Sequence, residues 1–126
     1  MSMRSDLGKV RGLGAAHDGT QHFWLQRVTA IANLPLVLFL VYFVLAHLGA
    51  PRAEIVAALH NPFTAVAIGL ALVSMLWHMK LGLQMVIEDY AHGHATKMAM
   101  LLLNTFYAFA LGALGLYAIL KMSFGV

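Results

Sequence analysis

After a mixed polar opening, MSMRSDLGKVRGLGAAHDGTQHF, three long apolar runs follow one another along the chain. They are VTAIANLPLVLFLVYFVLAHLG (28–49), FTAVAIGLALVSMLWHMKLGLQMVI (63–87) and KMAMLLLNTFYAFALGALGLYAILKM (97–122). A helix needs about 20 predominantly apolar residues to cross a hydrocarbon core roughly 30 Å thick, so each run is long enough to span a membrane. The intervening stretches read as turns. APRAEIVAALHNP (50–62) has proline near both ends and charges between them, which fits a connector with a short interfacial helix, and EDYAHGHAT (88–96) is the second turn. The opening residues lack a sustained apolar period and are rich in glycine and charge, so residues 1–27 read as a polar arm. They show neither the apolar core nor the small-residue cleavage site of a secretory signal peptide.

The expected fold is an all-α membrane protein. Its arm covers 1–27 and its three-helix transmembrane domain 28–122, with spans near 28–49, 63–87 and 97–121. Within it, Pro35 is a kink candidate in the first span and Asn33 is expected to face other protein. In the third span Ala108, Gly112 and Gly115 form a small-residue surface for close helix contact. Composition agrees: of 126 residues 61% are hydrophobic and 10% charged, and the mean hydropathy is +0.79, outside the usual range of soluble domains. Cysteine is absent, which excludes disulfides, thiolate-bound iron–sulfur clusters and covalent c-type haem attachment. The basic balance comes from lysines and arginines near span ends and lacks the dense patch that nucleic-acid binding needs.

The polar residues of LWHMKLGLQMVIEDY (76–90) are the candidate chemistry. Each helical residue advances about 100° and 1.5 Å. His78, Gly82, Met85 and Asp89, separated by four, seven and eleven positions from the first, therefore share one stripe. If the helix leaves the apolar core near Ile87, His78 lies about 14 Å inside it, near the midplane. An imidazole there is costly unless paired or ligated, which leaves two readings: an interhelical hydrogen bond or a functional site. Gly82, one turn away, removes a side chain from the same face, giving room for a flat group such as a porphyrin beside a neutral ring nitrogen. Asp89 and Tyr90 stand at the membrane boundary. They read either as a solvated acid beside an aromatic-belt tyrosine or as a quinone site, with tyrosine as hydrogen-bond donor and aspartate orienting it or relaying protons.

The motif H-x-x-x-G-x-x-x-x-x-x-D-Y, here His78, Gly82, Asp89 and Tyr90, resembles the signature of the small hydrophobic anchor subunit of succinate dehydrogenase, the D-type anchor of respiratory complex II. HFWLQRVTAI (22–31) resembles the segment that opens that family's first span, with Arg27 at its arginine; the family has a histidine shortly before, where Gln21 and His22 straddle the place. The resemblance covers nearly the whole chain. It implies that His78 is one axial ligand of a b-type haem (haem b), and therefore the iron ligand of this chain. A second, haem-ligating anchor subunit would supply the other; His47, the other histidine within a span, lies near the far end of the first helix. It further implies that Tyr90 hydrogen-bonds ubiquinone with Asp89 in support, and that Arg27 lies at the cytoplasmic mouth near the haem propionates or the quinone. Lys80 is outside the motif and points away from the His78 stripe, where it snorkels or meets a partner acid.

The implied function is a membrane anchor of succinate:quinone oxidoreductase in the respiratory chain and tricarboxylic acid cycle, resident in a bacterial inner membrane. Its implied partners are a flavoprotein subunit, an iron–sulfur subunit and membrane lipid. With neither cysteine nor a dinucleotide-binding glycine loop, the chain itself cannot oxidise succinate. Two alternatives stand beside this: the anchor of a quinol:fumarate reductase, and a small proton-conducting transport subunit using His78, Lys80 and Asp89.

Lysine and arginine placement sets the orientation. Arg4, Lys9, Arg11 and Arg27 precede the first span and Lys97 adjoins the second turn, whereas the other side has Arg52 and Lys121. The amino terminus and the second turn are therefore expected in the cytoplasm. Because the chain has no native cysteine, single-cysteine variants test this directly. A membrane-impermeant thiol reagent applied to intact cells should label Ala53→Cys and miss Gly93→Cys; the opposite pattern would invert the topology.

Overall fold

A computed structural model describes residues 6–10 and 17–125. Arg4 and Arg11, counted above in the charge asymmetry, lie outside the described residues, as do 1–5 and 11–16 of the arm. Five helices occur among the described residues: α1 (Asp6–Val10), α2 (His17–Ala46), α3 (Arg52–Leu59), α4 (Pro62–Tyr90) and α5 (His94–Ser123). The three long ones are the membrane spans of an all-α protein. At 29 or 30 residues each they are about 45 Å long, which exceeds the hydrocarbon thickness and carries their ends into the interface.

Local chemistry sets several boundaries. Asn61 caps α4, its side-chain oxygen accepting the Phe63 N–H at 3.0 Å, and Pro62 follows at the first helical position, where a missing N–H costs nothing. The chain leaves α2 through Gly49, whose φ of +79° favours glycine. After α4 only Ala91, His92 and Gly93 intervene before α5, so α4 and α5 form a tight antiparallel hairpin. Pro35 lies inside α2 and leaves the Ile31 carbonyl without its usual intrahelical donor.

One boundary departs from expectation. The segment read as an arm up to residue 27 is helical from His17 onward, so its last eleven residues form the first three turns of α2. The reason is tertiary. His22, Gln26 and Thr29, three or four positions apart, are partly buried against α4, and a helical period carried by polar residues is invisible to hydropathy.

The helices pack as an open row. α4 contacts α2 on one side and α5 on the other, while α2 and α5 share no contact among the described residues. The short α3 lies across α4 and α5 and buries Leu59. Helical geometry explains how α4 serves two neighbours: Leu72, Leu76 and Lys80 lie on one row, and the His78–Gly82 stripe lies roughly opposite. On the α5 side Ala108 is buried and Gly112 admits Leu76 Cδ1, which would stand 3.6 Å from a Cβ there. A Cβ at Gly115 would overlap the Leu72 side chain. Asn104, 7% exposed, donates through Nδ2 to the Lys80 carbonyl at 2.9 Å. Small residues and one buried amide thus hold α5 on α4, as expected where lipid removes the hydrophobic driving force for helix association.

Gly115→Val should lower the thermal stability of the detergent-solubilised protein by about 1–3 kcal/mol, the usual cost of overpacking. Gly69→Ala, whose Cβ would meet Leu116 Cδ2 at an ordinary 3.9 Å, should not. Circular-dichroism melts compare the two, and equal behaviour would show that the α4/α5 contact is looser than described.

Candidate functional site

The site is built from two stripes with the same spacing. On α2, His22, Gln26, Thr29 and Asn33 follow one another at intervals of four, three and four residues; on α4, His78, Gly82, Met85 and Asp89 do the same. A 4-3-4 spacing keeps side chains on one face of a helix. The α2 residues and His78 are all partly buried, and the two helices meet along these faces. Thr29 Oγ1 lies 3.1 Å from His78 Nδ1. A Cβ on Gly82 would come within 3.8 Å of Gln26 Nε2. Each step back along α2 is therefore a step forward along α4, an antiparallel register that sets Asn33 near the level of Ser74 and His22 near that of Met85.

This seam is polar and incompletely paired. His22 Nε2, Gln26 Oε1, Asn33 Oδ1 and Ser74 Oγ are buried atoms with no hydrogen-bond partner among the described residues. Four such atoms along one seam are unusual, since buried polar groups are normally satisfied. The seam's other atoms are more settled. Thr29 Oγ1 lies 2.7 Å from the Leu25 carbonyl as well as near His78, and no hydrogen bond engages His78 Nε2 among the described residues.

The sequence-derived site residues do not all converge. His78 and Gly82 share the seam. Asp89 and Tyr90 lie at the end of α4, both exposed, with no hydrogen-bond partner among the described residues. Adjacent on one helix, they point about 100° apart and do not face each other. Arg27 is exposed and lies to the side of the α2 stripe, its guanidinium 5.2 Å from the Phe23 ring centroid. In the α2/α4 register it is level with Lys80 or Leu81, about 4 Å along the axis from His78 and about 14 Å from Tyr90. His47 is held elsewhere: its Nδ1 is 2.8 Å from the Phe43 carbonyl, and its ring lies 4.3 Å from that of Phe43. Lys80 faces α5, Nζ 5.7 Å from the Trp77 ring centroid. It lines a groove of about 320 Å³ that includes Leu76, Ala108 and Gly112 and none of the candidate site residues.

Thr29 and Gln26 were not singled out from the sequence. The signal was present in the 4-3-4 spacing they share with His22 and Asn33, but it lay partly in the segment read as an arm.

Comparison with known proteins agrees with the layout of spans. The family model for the succinate dehydrogenase/fumarate reductase transmembrane subunit matches residues 1–112. The chain is 31% identical over 116 residues to the succinate dehydrogenase hydrophobic membrane anchor subunit of Paracoccus denitrificans, covering 92% of this chain and 89% of that protein. It is 37% identical over 87 residues to the subunit of the same description from Rickettsia bellii, covering 69% and 70% of the two chains. Against the succinate dehydrogenase membrane anchor subunit of Reclinomonas americana the identity is 32% over 89 residues, covering 68% and 74%. No solved structure matches the chain. Three apolar spans and a family match over most of the length lead to one conclusion: this chain belongs to the succinate dehydrogenase/fumarate reductase transmembrane subunits, among the hydrophobic membrane anchor subunits of succinate dehydrogenase.

Proposed function

We propose that this anchor contributes His78 as one axial ligand of a b-type haem and Tyr90 as a hydrogen-bond donor to ubiquinone. The observation that carries the reading is the seat of His78: a mid-span imidazole with one ring nitrogen beside Thr29 and the other without a hydrogen-bond partner among the described residues, one turn from Gly82. The donor set suits a macrocycle. The described residues offer no group of three or more His, Asp or Glu to hold a bare ion, whereas a porphyrin brings four nitrogens and asks the protein only for axial ligands. At Gly82 a methyl group would meet Gln26 Nε2 at 3.8 Å, an ordinary contact, and nothing nearer from another helix among the described residues, so the glycine keeps space that this packing does not demand. When bound, a haem of this kind takes up and releases single electrons.

The chain supplies half of such a site. By the α2/α4 register His47 is about 27 Å along the axis from His78, too far to hold the same group, and in this reading a second anchor subunit would supply the other ligand. Arg27, closer in level to His78 than to Tyr90, suits an anionic group at the porphyrin edge better than a quinone at the boundary, since guanidinium pairs with carboxylates. Tyr90, 77% exposed, keeps its ring in the interface and its hydroxyl free to donate to a quinone carbonyl. Asp89, beside it but turned away, serves the same site by holding or passing a proton at the aqueous edge. In this reading the amino terminus and the α4–α5 turn face the cytoplasm of a bacterial cell. Iron–sulfur and flavoprotein subunits dock there and deliver electrons from succinate.

Two substitutions test the assignment. His78→Ala should abolish or alter the b-haem signal of the purified complex while succinate oxidation partly survives; an unchanged spectrum would refute the ligand. Tyr90→Phe removes one hydroxyl and keeps the ring. Hydrogen bonds are typically worth about 0.5–1.5 kcal/mol net, and more where a buried partner is left unpaired. The succinate:quinone rate should therefore fall roughly threefold to a hundredfold, at about 1.4 kcal/mol per factor of ten, with succinate:dye rates and haem retained. Asp89→Asn should shift the quinone rate in the same direction. Equal losses in both assays would indicate faulty assembly, and no loss in either would return Tyr90 to the aromatic belt.

A further inference from the structure

A histidine that binds a metal through one ring nitrogen needs its other nitrogen engaged, because that partner fixes which nitrogen carries the proton and how the ring is turned. The Thr29 hydroxyl is the side-chain group that reaches His78. A hydroxyl has one hydrogen and two acceptor lone pairs. At Thr29 the hydrogen has a nearer destination than the imidazole: the Leu25 carbonyl, one turn back, is 2.7 Å from Oγ1, against 3.1 Å to His78 Nδ1 and 3.2 Å to the Gln26 carbonyl. A carbonyl can only accept, so the shortest of these contacts is the Thr29 O–H donating to Leu25. The hydroxyl then meets His78 with a lone pair, and Nδ1 must carry the hydrogen. This back-bond to the preceding turn is a standard threonine geometry within helices and holds the hydroxyl's rotation.

We propose that Thr29 is a positioning residue that fixes His78 as the Nδ1–H tautomer and leaves Nε2 with the free lone pair. The inference rests on the reading of His78 as an iron ligand and adds a named residue of α2 to it. Two consequences follow. The ring is held against rotation by a neighbouring helix, so ligand geometry depends on α2/α4 packing as well as on α4 itself. The imidazole is also made a stronger electron donor by giving its hydrogen to an acceptor, which favours ferric over ferrous iron and lowers the midpoint potential.

The experiment uses the intact complex with four substitutions: Thr29→Val, which keeps the shape and removes the hydroxyl; Thr29→Ala; Thr29→Ser, which keeps the hydroxyl and the back-bond; and His78→Ala. Two quantities are read besides activity: haem retention under dilution with a haem-scavenging apo-globin present, and the midpoint potential from a redox titration of the b-band. Loss of such a supporting group typically weakens metal binding by about 10–100-fold. Thr29→Val and Thr29→Ala should therefore lose haem about 10–100-fold more readily, and the haem they keep should titrate at a higher potential, with Thr29→Ser close to the unmodified protein in both. The inference is overturned if Val and Ala retain haem at the original potential, or if Ser behaves like Val, which would make the effect one of packing. A His78→Ala complex with an unchanged haem spectrum would overturn the ligand assignment and this inference with it. Loss of haem in His78→Ala beside unaltered Thr29 variants would overturn the inference alone.

Discussion

An imidazole about 14 Å inside the polar boundary of a membrane has no water to turn to, and the seating of α2 against α4 follows from how the chain meets that demand. A polar atom in hydrocarbon must find a partner within protein. His78 finds one in Thr29, and the contact fixes the antiparallel register in which Gln26 lies beside Gly82. The opposite face of α4 meets a similar demand with different means: Asn104 donates to the Lys80 carbonyl, and Gly112 and Gly115 let α5 approach. α4 is thus the axis of the molecule, with His78 on one side and its packing against α5 on the other.

The open row has a consequence for assembly. Because α2 and α5 do not touch among the described residues, no closed bundle surrounds the His78 seam. His22 Nε2, Gln26 Oε1, Asn33 Oδ1 and Ser74 Oγ lie along it without partners among the described residues. Such atoms are costly in hydrocarbon, and, buried already at the α2/α4 contact, they weigh against the packing that holds the two helices together. The first span has no buried residue in its apolar window, as expected of a helix whose remaining faces meet lipid or other subunits. On the α4/α5 side Asn104 Nδ2 is paired with the Lys80 carbonyl, while Asn104 Oδ1 and Ser123 Oγ are likewise buried without a partner among the described residues.

What was legible in the sequence follows from which physical signal carried it. Three spans could be read because length and apolar composition are what crossing a bilayer demands, and Lys80 could be placed away from His78 because two positions on a helix differ by about 200°. The short helix in 50–62 was signalled by prolines and charges, and α3 is there. The start of α2 at His17 was not legible, because its period is written in His, Gln and Thr, which a hydropathy reading scores as loop. For the same reason Thr29 passed unnoticed: a hydroxyl acquires meaning only once the opposite helix and its register are known. The depth of Arg27 was likewise a matter of register. From sequence it stood at the cytoplasmic mouth, whereas pairing with α4 sets it nearer the level of His78 than of Tyr90. Asp89 and Tyr90 were legible as boundary residues, but not that they face different directions.

In the proposed function this anchor, with its partners, would hold a b-type haem beside a quinone site. The most direct measurement is a reduced-minus-oxidised absorbance spectrum of the complex isolated through a tag on this chain, with its subunits identified by mass spectrometry. The expected result is a b-type haem spectrum in a complex that contains a flavoprotein, an iron–sulfur protein and a second membrane anchor. A complex with those same subunits and no haem absorbance would contradict it.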